Sequence, residues 1–141
     1  MKTCFVISPI GDDGSDIRKA EDDLFDLIIQ PALEKYDFKV VRADKIVSTS
    51  AITDDIVNLV QTAQLCIIDV TGHNANVFYE TGRRHETAKP YIHMKNKGEK
   101  IPFDIAGIRT IDYDLSDGRK IKDSIDSLRK FVDELIALSL Q

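Results

Sequence analysis

Across residues 67–85 an apolar run closes on Asp69, a polar turn of Gly72, His73 and Asn74 follows, and Glu80 falls near the start of a helical pattern. A carboxylate placed this way can attack an electron-poor carbon or stabilise a developing cation. The succession strand, turn, helix sets it beside the crevice where open parallel sheets bind ligands, beyond the carboxyl ends of their strands. Asn76 reads as the helix N-cap, so Glu80 is expected about one turn in, roughly 6 Å from the cap at 1.5 Å per residue. Unpaired amides and aligned peptide dipoles favour an anion there, and Glu80 is expected to be ionised at neutral pH. The plainer reading of the same residues is helix stabilisation, with Arg83 and Arg84 pairing to Glu80 from i+3 and i+4.

The elements that must position these residues follow from periodicity. Strands are predicted at 3–8, 38–43, 65–69, 90–94 and 108–113, with helical patterns over 15–36, 52–63, 77–88 and 121–138. The order β-α-β-α-β-α-β-β-α specifies an α/β class and a three-layer, flavodoxin-like architecture. Its five-stranded, mostly parallel sheet takes the order 2-1-3-4-5, with helices on both faces. Pro31 is expected to kink the first helix or to start a separate last turn, since it removes a backbone donor. Residues 96–106 fit a short helical turn or an edge segment. The last helix, with Ile125, Leu128, Val132, Leu135, Ile136 and Leu138, can cover the sheet or a neighbouring subunit, and core packing is the expected use.

Bulk properties narrow the class. A chain of 141 residues, 43 % hydrophobic and 30 % charged, fits one globular domain that buries about two thirds of its unfolded surface. A formal net charge of −5 argues against a nucleic-acid partner, and no apolar run is long enough to span a membrane. The N-terminus reads as a first strand, not a secretory signal. Cys4 and Cys66 fall in predicted strands as inert core thiols, which suits a reducing, cytoplasmic location. The scattered histidines and cysteines have no metal-ligand spacing, so no metal is expected.

Loops 8–15, 44–51 and 70–76 are expected to meet above the sheet. The first has two glycines but matches neither G-x-G-x-x-G nor a phosphate loop ending in G-K-[ST], which argues against a bound triphosphate. Arg18 can attract phosphate, while the plainer reading is a surface turn capped by Ser15. Residues 44–50 fit a flap, and Arg42 with Asp44 fits a local ion pair. Asp69 matches the acceptor position of phosphorelay receivers, but their other acidic, hydroxyl and lysine positions find no counterpart.

Taken together, CFVISPIG, VVRADKI, DVTGHNANVFYETGRRH, KP, IPFDI and IRTIDY resemble the bacterial TIR-like proteins related to nucleoside 2-deoxyribosyltransferases, over residues 3–113. The resemblance implies that Glu80, in FYETG, is the essential glutamate acting at the anomeric carbon of a ribosyl group. It also exposes a departure. Deoxyribosyltransferases have an aspartate six residues before the glutamate that helps the base to leave, and this chain has Asn74. Losing an acid costs departure of a neutral base about 10²- to 10⁴-fold, whereas the cationic nicotinamide of NAD leaves without one.

NAD is therefore the expected substrate, with no separate cofactor, cleaved to nicotinamide and ADP-ribose or a cyclic product. The implied catalytic residues are Glu80, Asn74 and Asp69, the last either as a replacement acid or merely as the cap of its turn through Thr71 or Gly72. Asn74 and Asn76 are expected to hold ribose hydroxyls or the carboxamide, with Tyr79 also contacting substrate. Ser8, Pro9, Ile10, Gly11 and Arg18 are expected to meet the pyrophosphate or second ribose, and Arg42 and Asp44 to border the nucleotide. By resemblance such proteins act as antiphage effectors when they self-assemble, so a homo-oligomer is expected. The alternatives are a nucleoside or nucleotide deoxyribosyltransferase or N-glycosidase, and a non-catalytic nucleotide-binding or TIR assembly module.

Overall fold

The structure, a computed structural model, describes residues 2–45, 52–100 and 108–139. Its strands are β1 (Lys2–Ile7), β2 (Phe38–Arg42), β3 (Leu65–Asp69), β4 (Tyr91–Asn96) and β5 (Thr110–Tyr113). They form one sheet in the order β2-β1-β3-β4-β5, with every neighbouring pair parallel. The expected order and direction are therefore observed. Register aligns Val6 with Arg42, Ile7 with Ile68 and Asp69 with Met94, so the polar strand ends share one edge.

Two helical layers cover the sheet. One contains α1 (Asp16–Asp23), a π-helical segment Leu24–Ile29, the short α2 (Gln30–Leu33) and the C-terminal α5 (Gly118–Ser139). The other contains α3 (Ile52–Thr62) and α4 (Ala75–Glu86). Alternation along the strands splits the core accordingly: Cys4, Val6, Leu65 and Ile67 join the first layer, while Phe5, Ile7, Cys66 and Ile68 join the second. Both cysteines are buried and free, as expected. Each fully buried isoleucine contributes about 1.5–3 kcal/mol, which makes β3 the best-anchored strand.

Ser15 caps α1, its side chain accepting from the Arg18 amide at 3.1 Å. The predicted disturbance near Pro31 takes the form of the π segment, after which α2 begins with Pro31 in its first turn. The backbone stays helical through Ile29 and Gln30, so Pro31 removes a donor from inside a continuous helix, and the i to i−5 bonding just before it, as from the Gln30 amide to the Phe25 carbonyl, accommodates the loss. In α5, Leu128 and Val132 are buried, and Ile125, Leu135 and Ile136 pack against the same core; Leu138 is exposed. The expected flap and the uncertain segment after β4 fall largely on residues 46–51 and 101–107, outside the described residues. Among the described residues no helix is long and apolar enough to cross a membrane.

Candidate active site

Helix α4 starts two residues earlier than expected. Asn74, with extended backbone, is its N-cap, accepting from the Val77 amide at 3.1 Å, and Asn76 lies inside the first turn. Glu80 is thus six residues past the cap, about 9 Å along the axis, where the helix dipole has largely faded. Its side chain descends into a groove between α3 and α4. The groove has a volume of about 310 Å³ and is lined by Ile56, Val57, Val60, Asn76, Tyr79, Glu80 and Arg83.

This placement corrects the expected ionisation. Burial against the apolar wall of α3 pushes the Glu80 carboxyl up to about 7, so it is near half-protonated at neutral pH. Among the described residues neither arginine pairs with it. Arg83 donates to the Tyr79 hydroxyl at 3.0 Å and stands over that ring. Arg84 is fully buried and donates to the carbonyls of Val60 at 3.0 Å and Pro90 at 2.8 Å, tying α4 to α3 and to the entry of β4. The interpretation of Glu80 as an ordinary helix-stabilising charge therefore loses its partners.

Asp69 belongs to the other side of the sheet. It follows Leu65 and Ile67 in the alternation, is 1 % exposed, and accepts from the Tyr113 hydroxyl at 2.8 Å and the Thr71 amide at 3.0 Å. The turn-capping expectation is met. Glu21 of α1, also buried, lies beside Asp69, and burial together with that neighbouring carboxyl raises the Glu21 carboxyl far above the ordinary range, so it holds its proton at neutral pH.

Arg42, Asp44 and Arg18 form a chain of ion pairs that reaches Glu21 through the charge of Arg42. Arg42 is 1 % exposed and is gripped by both oxygens of Asp44 and by Asp22 at 2.6 Å. These hydrogen bonds raise its pKa further, and its charge is felt by Glu21. Arg18 donates to Asp13 at 2.8 Å and to the Ile10 carbonyl at 3.2 Å, and stands 3.8 Å from Asp44. Pro9 is buried, and the Ser8 hydroxyl is buried without a partner among the described residues. Gly11 has φ +68°, and a Cβ there would meet the Ser15 hydroxyl at 2.9 Å, so glycine is required by conformation and by space.

The predicted set is therefore divided. Glu80, Asn76 and Tyr79 share the α3/α4 groove, with Asn74 at the head of α4, whereas Asp69, Arg18, Arg42 and Asp44 form an ionic cluster on the opposite face. Sequence reasoning missed Arg83 as a lining residue, although i+4 from Tyr79 put it on the same helix face. It also missed Glu21, whose spacing to Leu24, Phe25 and Ile28 placed a carboxyl on the apolar stripe of α1. Behind the groove, His85 and the fully buried His93 stack at 5.1 Å with their Nε2 atoms 3.0 Å apart. Burial lowers His85 and takes His93 down to about 4.

A larger hollow, about 380 Å³, opens at the amino ends of the strands among Lys2, Phe38, Leu65, Pro90 and Val132. Its lining includes no acid among the described residues and lies at the end of a parallel sheet that ligands seldom use. Among the described residues no group of three or more side chains has metal-binding geometry.

No protein-family model and no curated protein matches the chain. Solved structures do. A CMP N-glycosidase from Clostridium botulinum is similar with a TM-score of 0.63 and 15 % identity, covering 92 % of this chain and 99 % of that one. A 2-deoxyribosyltransferase from Bacillus psychrosaccharolyticus gives 0.57 and 13 %, covering 90 % of each chain. The 2-desoxiribosyltransferase from Leishmania mexicana gives 0.56 and 12 %, covering 89 % and 98 %. At these identities the shared property is the fold.

Proposed function

We propose that the protein cleaves the N-glycosidic bond of a nucleoside or nucleotide, with Glu80 acting at the anomeric carbon. The observation that carries this reading is an unpaired carboxyl in a 310 Å³ groove, on a fold shared with deoxyribosyltransferases and a CMP N-glycosidase. In the step envisaged, the C1′–N bond breaks through an oxocarbenium-like transition state, its electron pair leaving with the base. The ionised Glu80 forms the new bond to C1′ or stabilises the cation electrostatically. Water then attacks C1′, displacing the Glu80 carboxylate where it is bonded, the hydroxyl of the water going to the sugar and its proton to the departed base; another base in its place gives transfer. The apolar wall of Ile56, Val57 and Val60 limits access of competing water and strengthens the field of the carboxylate.

Hydrolysis of NAD by a TIR-like antiphage effector, acting as a homo-oligomer, is the second reading. One observation favours it: among the described residues lining the groove, Glu80 is the sole acid, and Asp69 is engaged on the other face. A leaving group that needs no proton, such as nicotinamide, suits that arrangement.

Incubating the protein over a range of concentrations with cytidine, deoxycytidine, CMP, dCMP and NAD, and measuring free base and nicotinamide by chromatography, decides among these readings. Free cytosine that disappears in Glu80→Gln supports the first, and nicotinamide alone supports the second. No release from any of them overturns both and leaves a binding module.

A further inference from the structure

The arginines of this molecule are mostly spoken for. Arg18 and Arg42 are held by aspartates, and Arg84 by two backbone carbonyls. Arg83 is different. It alone of these lines the same groove as Glu80, is half-buried, and pairs with no carboxylate among the described residues; like Arg84 it also has a buried Nε without an acceptor among them. Its one hydrogen bond goes to the Tyr79 hydroxyl, a neutral group on an exposed ring. Burial alone accounts for the raised Glu80 carboxyl, so the guanidinium is not spent on that neighbour either.

A groove with a carboxyl at one position and, one turn away, a partly desolvated cation that has no carboxylate partner among the described residues selects a ligand that carries its own anion. The two residues are separated by about 4.5 Å along the helix axis, and the long arginine side chain extends the reach further. A ribose whose C1′ faces Glu80 projects its C5′ substituent away from that carbon, toward such a cation. We propose that the groove takes nucleoside 5′-monophosphates in preference to free nucleosides, with Arg83 as the specificity-determining residue that binds the phosphate, assisted by the Tyr79 hydroxyl. The inference rests on the reading of the groove as a glycosidic-bond site. Charge-assisted hydrogen bonds to a guanidinium fork are the strong kind, and the phosphate oxygens fill the acceptor places that the protein leaves empty.

Calorimetric titration of Glu80→Gln with CMP, AMP, cytidine and adenosine tests the assignment without turnover. The monophosphates are expected to bind about 10- to 100-fold more tightly than the nucleosides. That gap should vanish in the double variant carrying Arg83→Met and persist in part with Arg83→Lys, with thermal melts confirming that each variant is folded. Equal affinity for monophosphates and nucleosides, a gap that survives Arg83→Met, or no binding of any of the four overturns the proposal. Failure of the parent reading looks different: the phosphate preference is intact while the unmodified protein releases no base. Conversely, base release that ignores the phosphate removes the role of Arg83 and leaves the glycosidic chemistry standing.

Discussion

Glu80 owes its chemistry to where its helix begins. Capped at Asn74, α4 carries the carboxyl past the reach of its own amides and into an apolar groove, so desolvation outweighs the dipole and the carboxyl rises to about 7. If the ionised form acts at C1′, kcat/KM should climb about tenfold per pH unit below that value and level off above it. Glu80→Gln should lower turnover by about 10³-fold or more, measured at saturating substrate. Stability runs the other way. The folded carboxyl holds its proton to higher pH than the unfolded one, so its favourable contribution fades as pH rises from about 4.5 to about 7. Glu80→Gln should therefore stabilise the fold at pH 8, by about 1–2 kcal/mol after allowing for partial exposure, read from urea unfolding at pH 5 and pH 8.

Among the elements, the cap and the clamp make separable predictions. Asn74→Ala should cost about 1 kcal/mol and Asn74→Ser much less, because serine also accepts from the third amide of α4. Arg42 joins β2 to α1 through Asp22 and to its own following turn through Asp44. Replacing it by Met strands those carboxylates beside a buried site, and about 3 kcal/mol should be lost as a lower urea midpoint with an unchanged slope.

The elements were legible in the chain because apolar periodicity is strong; strand order and parallel direction follow from their succession, and the disturbance before Pro31 from the missing donor of that residue. The division of the site was not. Asp69 and Glu80 are near in sequence and share a carboxyl type, yet strand alternation sends one toward Tyr113 while the early cap turns the other toward Val60. Two asparagines compete for that cap, and a shift of two residues rotates the whole face of a helix, which local propensity does not resolve. The Glu21–Asp69 proton was hidden for a different reason. It depends on a contact between α1 and the end of β3, and only tertiary packing creates it.

For the molecule as a whole, stability is bounded in pH from both sides by buried groups other than Glu80. His93 is held down to about 4 and His85 is lowered by burial, so the unfolded chain takes up protons that the folded one refuses. Stability from this pair is present above the ordinary histidine pKa and is lost as pH falls; about 2–3 kcal/mol should go between pH 6.5 and 4 on account of His93. In His93→Gln the acid limb of the stability profile should flatten, which thermal melts across that range will show. Glu21 sets the opposite limb: its proton is retained in the fold well above the ordinary carboxylate pKa, so its contribution fades as pH rises from about 4.5 to about 11.

One peptide unit in β3 separates Ile68, which looks toward α3 and α4, from Asp69, which looks toward α1 and β5. The strand is thus a partition between two rooms that do not share furniture. Substitutions can refit either room while the wiring of the other stays in place. A deletion of one residue from β3 would exchange their contents, delivering a bare carboxylate to the oily side and an isoleucine to the ionic one, and neither room would then hold together.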